Sequence, residues 1–305
     1  MTKLLLITGA SGLLGANLVL VARDAGWDVT PVTHQHPLRG GVTLDLTDVA
    51  ATQALIAQIK PNWIVHCAAA ANVDWCEDHP SEAKRINVEA SASIAQAATA
   101  LGAGLVYIST DAVFYGNDPS LRYREDDRPT PPSVYAITKL QAEQAVLTIF
   151  PSAIVLRVNF YGWNFQAKHS LAEWMLYKLE HGERLPGFAD VTFCPMLAND
   201  LCDVILELIT LGGVNKGIFH AVGGQSLSKY EFARAVAHTF DLDETLIDAT
   251  SFRDVALRAP RSPNLALDVS KIEQALGHKM PDVMSGLQKF KQLREAGFVN
   301  SLKGL

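Results

Sequence analysis

A glycine-spaced segment directly after an apolar run is the feature that most constrains the fold. Residues 4–7 are apolar and predict a buried strand, and Gly9, Gly12 and Gly15 follow at intervals of three. Glycines in this context permit a tight turn from strand to helix and a close approach of the backbone to a ligand. Because the first N–H groups of a helix favour an anion, the segment predicts a turn that binds the pyrophosphate of a dinucleotide.

The rest of the first half alternates short β-rich runs with helical stretches, which is the pattern of a parallel sheet covered by helices on both faces. Strands are predicted at 3–8, 28–33, 63–67, 105–109 and 153–158, and helices from the glycine turn to about Ala25 and at 47–59, 81–101 and 135–149. Thr47 is the predicted cap of the second of these helices.

Beyond residue 162 the pattern loosens into helical stretches at 171–181, 198–211 and 228–240, with a strand-like piece at 217–221. Ser228 and Glu231 form a capping-box sequence, to which we assign a structural role. We predict an α/β fold: a Rossmann-type doubly wound parallel sheet in residues 1–160, and a smaller C-terminal α/β substrate lobe in residues 161–305, partly interleaved with the first.

Composition and charge exclude several classes of protein. Of the 305 residues 49% are hydrophobic and 19% charged, which is typical of a globular protein rather than a disordered or fibrous one. The formal net charge of −6 argues against nucleic acid or an anionic membrane as the main partner. No apolar run approaches the roughly 18 residues of a membrane helix, and the first residues do not resemble a signal peptide. We therefore expect a cytoplasmic protein.

The four cysteines and nine histidines do not stand at the spacing of a metal site. No Cys-x-x-Cys pair occurs, so we expect reduced core thiols rather than zinc ligands or disulfides. The sequence predicts no metal. The cysteines are Cys67, Cys76, Cys194 and Cys202.

Tyr135 and Lys139 are four residues apart in a predicted helix and therefore lie on the same face, about one turn from each other. A nearby ammonium lowers the pKa of a phenol, which otherwise stays near ~10, so the pair suits proton transfer to or from a substrate oxygen. Thr110 ends an apolar run upstream and is the third candidate catalytic residue. The order of glycine turn, Thr110 and the Tyr–Lys pair is far more specific than any one of them.

The end of the second predicted strand indicates which dinucleotide is bound. An acidic residue there would bind the ribose 2′-hydroxyl of NAD, but the chain has Thr33 and His34, with Arg39 close behind. The missing carboxylate and the cationic neighbours favour NADP(H), with NAD(H) left open. Asp45 and Leu46 are placed to contact the adenine. The predicted cofactor-binding residues are Gly9, Ser11, Gly12, Leu13, Leu14, Gly15, Thr33, His34, Arg39, Asp45, Leu46, Cys67, Ala68, Ala69, Tyr135 and Lys139.

Several longer segments carry a family resemblance across nearly the whole chain. The chain resembles the extended short-chain dehydrogenase/reductase superfamily and, within it, the dTDP-4-dehydrorhamnose reductases. The match is more specific in the cofactor half than in the substrate half. The matching segments are 66–77 (HCAAAANVDWCE), 85–88 (RINV), 107–114 (YISTDAVF), 123–126 (YRED), 135–139 (YAITK), 217–220 (GIFH) and 259–264 (APRSPN).

The resemblance implies NADPH-dependent reduction of the 4-keto group of a nucleotide-linked deoxysugar. Tyr135 would donate a proton to the carbonyl oxygen, and Lys139 would hold the nicotinamide ribose and lower the pKa of Tyr135. Thr110 would hydrogen-bond the same oxygen. Asn87 and Asp111 are expected to organise the site rather than take part in chemistry.

Candidate substrate-binding residues besides Thr110 are Asn159, Trp163, Asn164 and Arg261, because aromatic faces stack on sugars or bases and arginine binds a diphosphate bidentately. The chain also departs from the family pattern. Asn17 replaces a helix glutamate that serves a magnesium-linked dimer in some members, so neither that metal nor that dimer is implied, and a homodimer stays open.

Two alternatives remain. A nucleotide-sugar epimerase or dehydratase uses the same tyrosine and lysine but retains its NAD through the cycle. The chain also resembles the regulatory β subunit of methionine adenosyltransferase, a relative that binds NADP and a catalytic partner. In that case the chain would be a non-catalytic NADP-binding regulatory subunit.

Overall fold

The computed structural model describes residues 3–116, 118, 120–212, 216–255 and 258–305. Within these ranges seven parallel strands form one central sheet, and three small sheets lie outside it. The strands in chain order are β1 (Leu4–Thr8), β2 (Asp28–Thr33), β3 (Val42–Thr43), β4 (Trp63–His66), β5 (Gly104–Thr110), β6 (Ile154–Val158), β7 (Phe160–Tyr161), β8 (Leu185–Phe188), β9 (Thr192–Phe193), β10 (Met196–Leu197), β11 (Gly217–Ala221), β12 (Leu227–Ser228), β13 (Ile247–Thr250) and β14 (Asn264–Leu265).

In the described part of the chain the helices include one π-helical segment at Arg85–Glu89 and three 3₁₀ turns at Asp111–Val113, Glu244–Leu246 and Phe252–Asp254. The α-helices in chain order are α1 (Leu13–Asp24), α2 (Val49–Ile59), α3 (Val73–Asp78), α4 (Pro80–Lys84), α5 (Ala90–Leu101), α6 (Val134–Ile149), α7 (Leu171–Glu180), α8 (Ala198–Thr210), α9 (Lys229–Thr239), α10 (Ser270–Leu276), α11 (Val283–Glu295) and α12 (Phe298–Lys303).

The strand order of the central sheet is β11-β6-β5-β4-β1-β2-β3. The chain runs outward from β1 to β3 and then returns to place β4 on the other side of β1. Ligands of open α/β sheets bind where the strand order reverses in this way, beyond the carboxyl ends of the strands. The predicted doubly wound parallel fold is confirmed, and its crevice lies beyond the ends of β1 and β4.

Apolar side chains on alternate positions of β1 bury both faces of the sheet. Leu5 and Ile7 belong to a core shared with α1 and α8, and Leu6 belongs to a second core shared with α2, α5 and α6. A strand buried on both faces reads as a continuous apolar run, which is why residues 4–7 show no polar alternation.

Two predicted helices differ from the structure, one in where it begins and one in its continuity. Helix α2 begins at Val49 because the Asp48 carboxylate accepts a hydrogen bond from the Ala51 N–H at 3.0 Å, and Thr47 instead donates to Asp45. The predicted helix 81–101 is three pieces, since the π-helical turn at Arg85–Glu89 separates α4 from α5.

The C-terminal part of the chain has a core of its own and also contributes to the central sheet. Phe232 of α9 and Phe290 of α11 pack with Tyr161 in this third core, and the Ser228–Glu231 capping box starts α9 as predicted. Strand β11 joins β6 in the central sheet, and α8 packs on α1. The division between residues 1–160 and 161–305 stays a prediction.

None of the helices in the described part of the chain is long and apolar enough to cross a membrane.

Candidate active site

The glycine turn after β1 is packed so closely that it has no room for a side chain at Gly9 or Gly15. Gly9 has φ +65°, and a Cβ added there would lie 2.6 Å from the Ala68 backbone nitrogen; one added at Gly15 would lie 2.3 Å from the Gly9 carbonyl oxygen. Gly12 caps α1 without any side-chain hydrogen bond, so no side chain that the structure describes satisfies the first N–H groups of the helix. Free N–H groups beside a glycine cradle fit the pyrophosphate of a dinucleotide.

The other predicted cofactor residues lie around the same crevice. Ala10 donates its N–H to the Val32 carbonyl, which brings the glycine turn against the end of β2 and thus near Thr33. His34 and Arg39 are exposed beyond that strand. The Thr47 backbone N–H lowers the pKa of Asp45, and His34 adds a smaller lowering because it lies close to that carboxylate.

The segment after β4 is held by Asn87, a buried residue of the π-helical turn. The Asn87 side chain accepts from the Ala70 N–H at 2.8 Å and donates to the Ala70 carbonyl at 3.2 Å and to the Thr138 hydroxyl at 3.0 Å. Thr138 in turn donates to the Tyr135 carbonyl. Asn87 therefore fixes the backbone beside Cys67, Ala68 and Ala69 relative to the helix that carries Tyr135, which agrees with the organising role predicted for it.

A second polar chain below the crevice was not predicted. The Thr8 hydroxyl lies 2.6 Å from His66 Nδ1, and His66 Nε2 lies 2.9 Å from the Ser91 hydroxyl, which donates to the Asn87 carbonyl at 2.6 Å. Since Ser91 uses its proton on Asn87, it accepts from His66 Nε2–H, and Thr8 donates to Nδ1. Burial lowers the pKa of His66 to about 3, so the ring stays neutral.

Thr110, Tyr135 and Lys139 converge at the carboxyl end of β5. The Ser133 hydroxyl caps α6 at the Ala136 N–H, and the Glu77 carboxylate accepts from the Val134 N–H at 2.7 Å, so two groups fix the helix start. Tyr135 is half-buried one residue into the helix. Lys139, one turn further on, is buried and donates its ammonium to the Ile108 carbonyl at 2.7 Å.

The predicted lowering of the Tyr135 pKa by Lys139 is wrong for this structure. Burial raises the pKa of Tyr135 to about 12, and the nearby Thr110 hydroxyl only partly opposes that rise. Burial also lowers the pKa of Lys139 to about 7, although the Glu143 carboxylate opposes it. The helical spacing places both residues on one face, but the Lys139 ammonium points to the β5 backbone instead of the phenol.

Asp111 holds Thr110 and Asn159 together. The Thr110 hydroxyl accepts from the Ala112 N–H at 3.1 Å and lies 3.2 Å from Asp111 Oδ1, and Asn159 donates to Asp111 Oδ2 at 2.5 Å. Burial raises the pKa of Asp111 to about 6, with both hydrogen bonds opposing the rise. The predicted substrate residue Asn159 thus lies beside the catalytic candidates.

The remaining substrate candidates divide. Arg261 lies in an exposed loop and contacts Asp74 of α3 at 3.3 Å. Trp163 instead stacks on Phe290 with ring centres 4.0 Å apart and donates its indole N–H to the Phe290 carbonyl. Asn164 is buried. Its backbone N–H donates to the Glu173 carboxylate at 3.0 Å, and its side-chain oxygen accepts from the Gln166 N–H at 3.1 Å. The substrate contacts of Trp163 and Asn164 stay predictions.

A buried ion pair lies directly under this site. Arg157 of β6 donates to both oxygens of Glu143, at 3.0 and 2.8 Å, and the Ser109 hydroxyl donates to the same carboxylate at 2.5 Å. Both charged side chains are 2% exposed. Glu143 stands one helical turn after Lys139, so this pair fixes the catalytic helix against β5 and β6. Sequence spacing of four from Lys139 is the one signal that could have indicated it.

Lys229 is a further candidate that the sequence did not single out. It is the first helical residue of α9, directly after the Ser228 cap, and its backbone N–H donates to the Val191 carbonyl. Burial lowers the pKa of Lys229, Arg261 lowers it further, and Asp111 opposes both. The two charges that act on Lys229 therefore come from the candidate site.

Within the described ranges no cluster of three or more His, Cys, Asp or Glu side chains could hold a metal ion. The four cysteines are all free thiols.

Two features together define a class of enzyme. One is the glycine turn at the switch point of a parallel sheet, and the other is the threonine, tyrosine and lysine along the same edge. The chain has the build of an NAD(P)-dependent oxidoreductase of the extended short-chain dehydrogenase/reductase type. It belongs to the family described as the RmlD substrate binding domain, whose model matches residues 2–294.

Individual relatives agree with this family. The chain is 35% identical over 285 residues to methionine adenosyltransferase 2 subunit beta of Xenopus laevis, covering 90% of this chain and 84% of the relative. It is 31% identical over 302 residues to dTDP-4-dehydrorhamnose reductase of Aggregatibacter actinomycetemcomitans, covering 95% and 99%. The crystal structure of dTDP-4-dehydrorhamnose reductase from Bacillus anthracis in complex with NADP superposes with a TM-score of 0.86 at 28% identity, covering 96% and 99%. Both resemblances inferred from the motifs are confirmed.

Proposed function

We propose that the protein reduces the 4-keto group of a nucleotide-linked deoxysugar with NADPH, as a dTDP-4-dehydrorhamnose reductase does. The observation that carries the proposal is the convergence of Thr110, Tyr135 and Lys139 at the sheet edge next to the glycine turn. Relatives named dTDP-4-dehydrorhamnose reductase match nearly the full length of the chain and support the same reaction.

In this proposal each residue has a definite task. Bound NADPH supplies the hydride for the carbonyl carbon. Tyr135 gives its phenolic proton to the carbonyl oxygen, so the ketone becomes an alcohol, and Thr110 donates a hydrogen bond to the same oxygen as negative charge develops there. In the structure the Thr110 hydroxyl donates to Asp111, so Thr110 would turn its one proton from that carboxylate to the substrate oxygen while the Ala112 N–H still donates to its Oγ1. Asn159 donates to the other oxygen of Asp111 and holds that carboxylate in place.

The cofactor proposal rests on residues at the end of β2. Thr33, His34 and Arg39 present no carboxylate to a ribose 2′-hydroxyl, and the exposed Arg39 guanidinium suits a 2′-phosphate. We therefore assign NADP(H) as the favoured cofactor, with NAD(H) as the second choice. The B. anthracis relative was solved with NADP, which supports the assignment.

The test is oxidation of NADPH by a dTDP-4-keto-6-deoxysugar, followed at the absorbance of the reduced nicotinamide. We expect Tyr135→Phe to lower kcat by roughly 10²–10⁴-fold, since it removes the proton donor. Tyr177→Phe is the matched control, because this tyrosine is exposed on α7 and is not among the candidate site residues. Absence of NADPH and NADH oxidation across dTDP-, UDP- and GDP-linked keto-sugars would refute the proposal.

A second function is favoured by the 35% identity to the β subunit of methionine adenosyltransferase 2. In that case the chain is a non-catalytic NADP-binding regulatory subunit, and it would capture a methionine adenosyltransferase in a pull-down while remaining inactive on every keto-sugar. A nucleotide-sugar epimerase or dehydratase would instead copurify with NAD and isomerise or dehydrate its substrate without net cofactor consumption.

The cellular compartment and the oligomeric state of the protein are part of the same proposal. We propose a cytoplasmic protein, which its composition favours, and a homodimer as its assembly. Size-exclusion chromatography with light scattering at micromolar concentration tests the assembly.

A further inference from the structure

Gln166 joins the C-terminal lobe to the glycine turn of the cofactor site. Its side-chain Nε2 donates to the carbonyl of Ser11, a buried residue of that turn, at 2.9 Å. Among the described residues no backbone N–H donates to this carbonyl. A buried carbonyl needs a donor, so Gln166 supplies the hydrogen bond that the backbone of the turn does not.

The peptide unit between Ser11 and Gly12 is thereby fixed on both sides. Its carbonyl accepts from Gln166, and its N–H donates to the Gly9 carbonyl at 2.9 Å. This peptide therefore cannot turn without breaking a hydrogen bond. The next N–H, that of Leu13, has no acceptor in the part of the chain that the structure describes, and it opens the helix end that favours an anion. The orientation of the fixed peptide sets the direction of that free N–H.

The backbone of Gln166 is itself held by two helices. Its N–H donates to the Asn164 side chain at 3.1 Å, and its carbonyl accepts from the ammonium of Lys303, in α12, at 2.9 Å. The Asn164 N–H donates to the carboxylate of Glu173, in α7, at 3.0 Å. Because both backbone groups of Gln166 are already used, its side chain reaches the glycine turn from a fixed support.

We propose that Gln166 is a positioning residue for the pyrophosphate of the dinucleotide. By fixing the peptide between Ser11 and Gly12, it holds the glycine turn in its binding conformation before the cofactor arrives, so that less conformational entropy is lost on binding. The role goes beyond the proposed reaction, because it concerns the cofactor and not the keto-sugar. It holds equally for a non-catalytic subunit that binds NADP.

The experiment compares two ligands that differ in the pyrophosphate. Calorimetry measures the binding of NADP⁺ and of 2′-AMP, which carries adenosine and the 2′-phosphate but no pyrophosphate. Gln166→Met keeps the length of the side chain and removes its donor. We expect this variant to weaken NADP⁺ binding about 3- to 10-fold, the loss of one hydrogen bond, and to leave 2′-AMP binding unchanged. If the wild-type protein binds NAD⁺ more tightly than NADP⁺, NAD⁺ and adenosine replace the two ligands.

Gln166→Glu adds a pH dependence that a purely structural role would not give. An ionised carboxylate cannot donate to the Ser11 carbonyl and repels a pyrophosphate, whereas a protonated carboxyl can donate. Relative to wild type, the loss of NADP⁺ affinity in Gln166→Glu should exceed that in Gln166→Met at about pH 7.5, and it should shrink as the pH is lowered towards the ordinary glutamate pKa near ~4.3. The loss in Gln166→Met should not change with pH.

Gln288→Met is the matched control, because Gln288 is exposed on α11 and is not among the candidate site residues. It should bind both ligands as the wild-type protein does. Gln166→Ala, with its melting temperature measured beside it, replaces Gln166→Met if that variant folds poorly.

Three results would overturn the inference: unchanged NADP⁺ affinity in Gln166→Met, equal weakening of NADP⁺ and 2′-AMP, or a loss in Gln166→Glu that does not depend on pH. Failure of the reductase proposal looks different, since NADPH would then stay unoxidised by every keto-sugar while Gln166-dependent binding of NADP⁺ persists.

Discussion

Removing Arg157 should destabilise the protein far more than removing a similar arginine from the surface. Arg157 donates to both oxygens of Glu143, and each side chain is 2% exposed. Arg157→Met would leave a carboxylate in the protein interior with the Ser109 hydroxyl as its main remaining donor. Leaving one member of a buried pair without its partner costs about 3–5 kcal/mol, a large part of the roughly 5–15 kcal/mol by which a protein is stable.

The double variant tests the reasoning, because the cost comes from the unpaired charge and not from the lost attraction alone. Replacing both members with Glu143→Leu and Arg157→Met removes both charges of the pair, and such apolar replacements are often neutral or stabilising. Ser109 would lose its acceptor, which costs about 1 kcal/mol. We therefore expect the double variant to be more stable than Arg157→Met. Its loss of stability should be well below the sum of the losses in the two single variants.

Urea unfolding followed by circular dichroism measures these free energies of unfolding. Arg184→Met is the matched control, since Arg184 also donates two hydrogen bonds to one carboxylate, that of Asp248, but both side chains are about half exposed. Solvent screening should make its effect much smaller than that of Arg157→Met. The reasoning is refuted if the two arginine variants lose similar stability, or if the double variant loses the sum of the single losses.

Two further predictions concern the cofactor crevice. Burial lowers the pKa of Lys139 to about 7, whereas in the unfolded chain it stays near ~10.4, so the unfolded state binds more protons between these values. The free energy of unfolding of the cofactor-free wild-type protein, relative to that of Lys139→Met, should therefore rise as the pH increases from about 7 towards 10. Urea unfolding across that pH range measures both free energies, and a difference that does not change with pH would contradict the lowered pKa. Gly9→Ala should abolish NADP⁺ binding or unfold the protein, because its Cβ meets the Ala68 backbone. Gly26→Ala, with φ +80° and open space around it, should cost only the strain of a left-handed residue, about 1 kcal/mol. Thermal shift with and without NADP⁺ distinguishes the two variants, and equal behaviour would argue against the close contact at Gly9.

The sequence predicts the sheet and the crevice well because these depend on short-range patterns. A strand buried on both faces must be continuously apolar, and a glycine with φ +65° packed against another backbone tolerates no side chain. The predicted cap of α2, Thr47, was wrong by one residue. Thr47 and Asp48 are both good caps, and only the loop geometry at Asp45 decides between them.

Side-chain partners over long sequence distances were harder to predict. Trp163 was predicted to contact substrate because aromatic faces stack on sugars or bases, whereas its stacking on Phe290 depends on a helix that is more than a hundred residues away. Lys229 was not predicted as a site residue because it lies within a capping-box sequence, and the hydrogen bonds of that box involve only its neighbours. Its relation to Asp111 and Arg261 arises only when β8 and α9 are packed together.

The Tyr135–Lys139 pair shows most directly what helical spacing determines. A separation of four places two side chains on one face, yet a lysine side chain is long enough to reach either the phenol or the adjoining strand. Here the Ile108 carbonyl takes the ammonium at 2.7 Å, and the Tyr107 ring lies 4.2 Å from it, so the backbone of β5 competes with the phenol for the charge. A phenol with a pKa of about 12 keeps its proton at neutral pH, which suits a group that must donate a proton to a carbonyl oxygen. In the reductive direction Tyr135 therefore begins protonated, as a proton donor must, although the raised pKa makes it a weaker acid than an ordinary phenol. The lowered pKa expected from spacing would matter for the reverse oxidation of an alcohol.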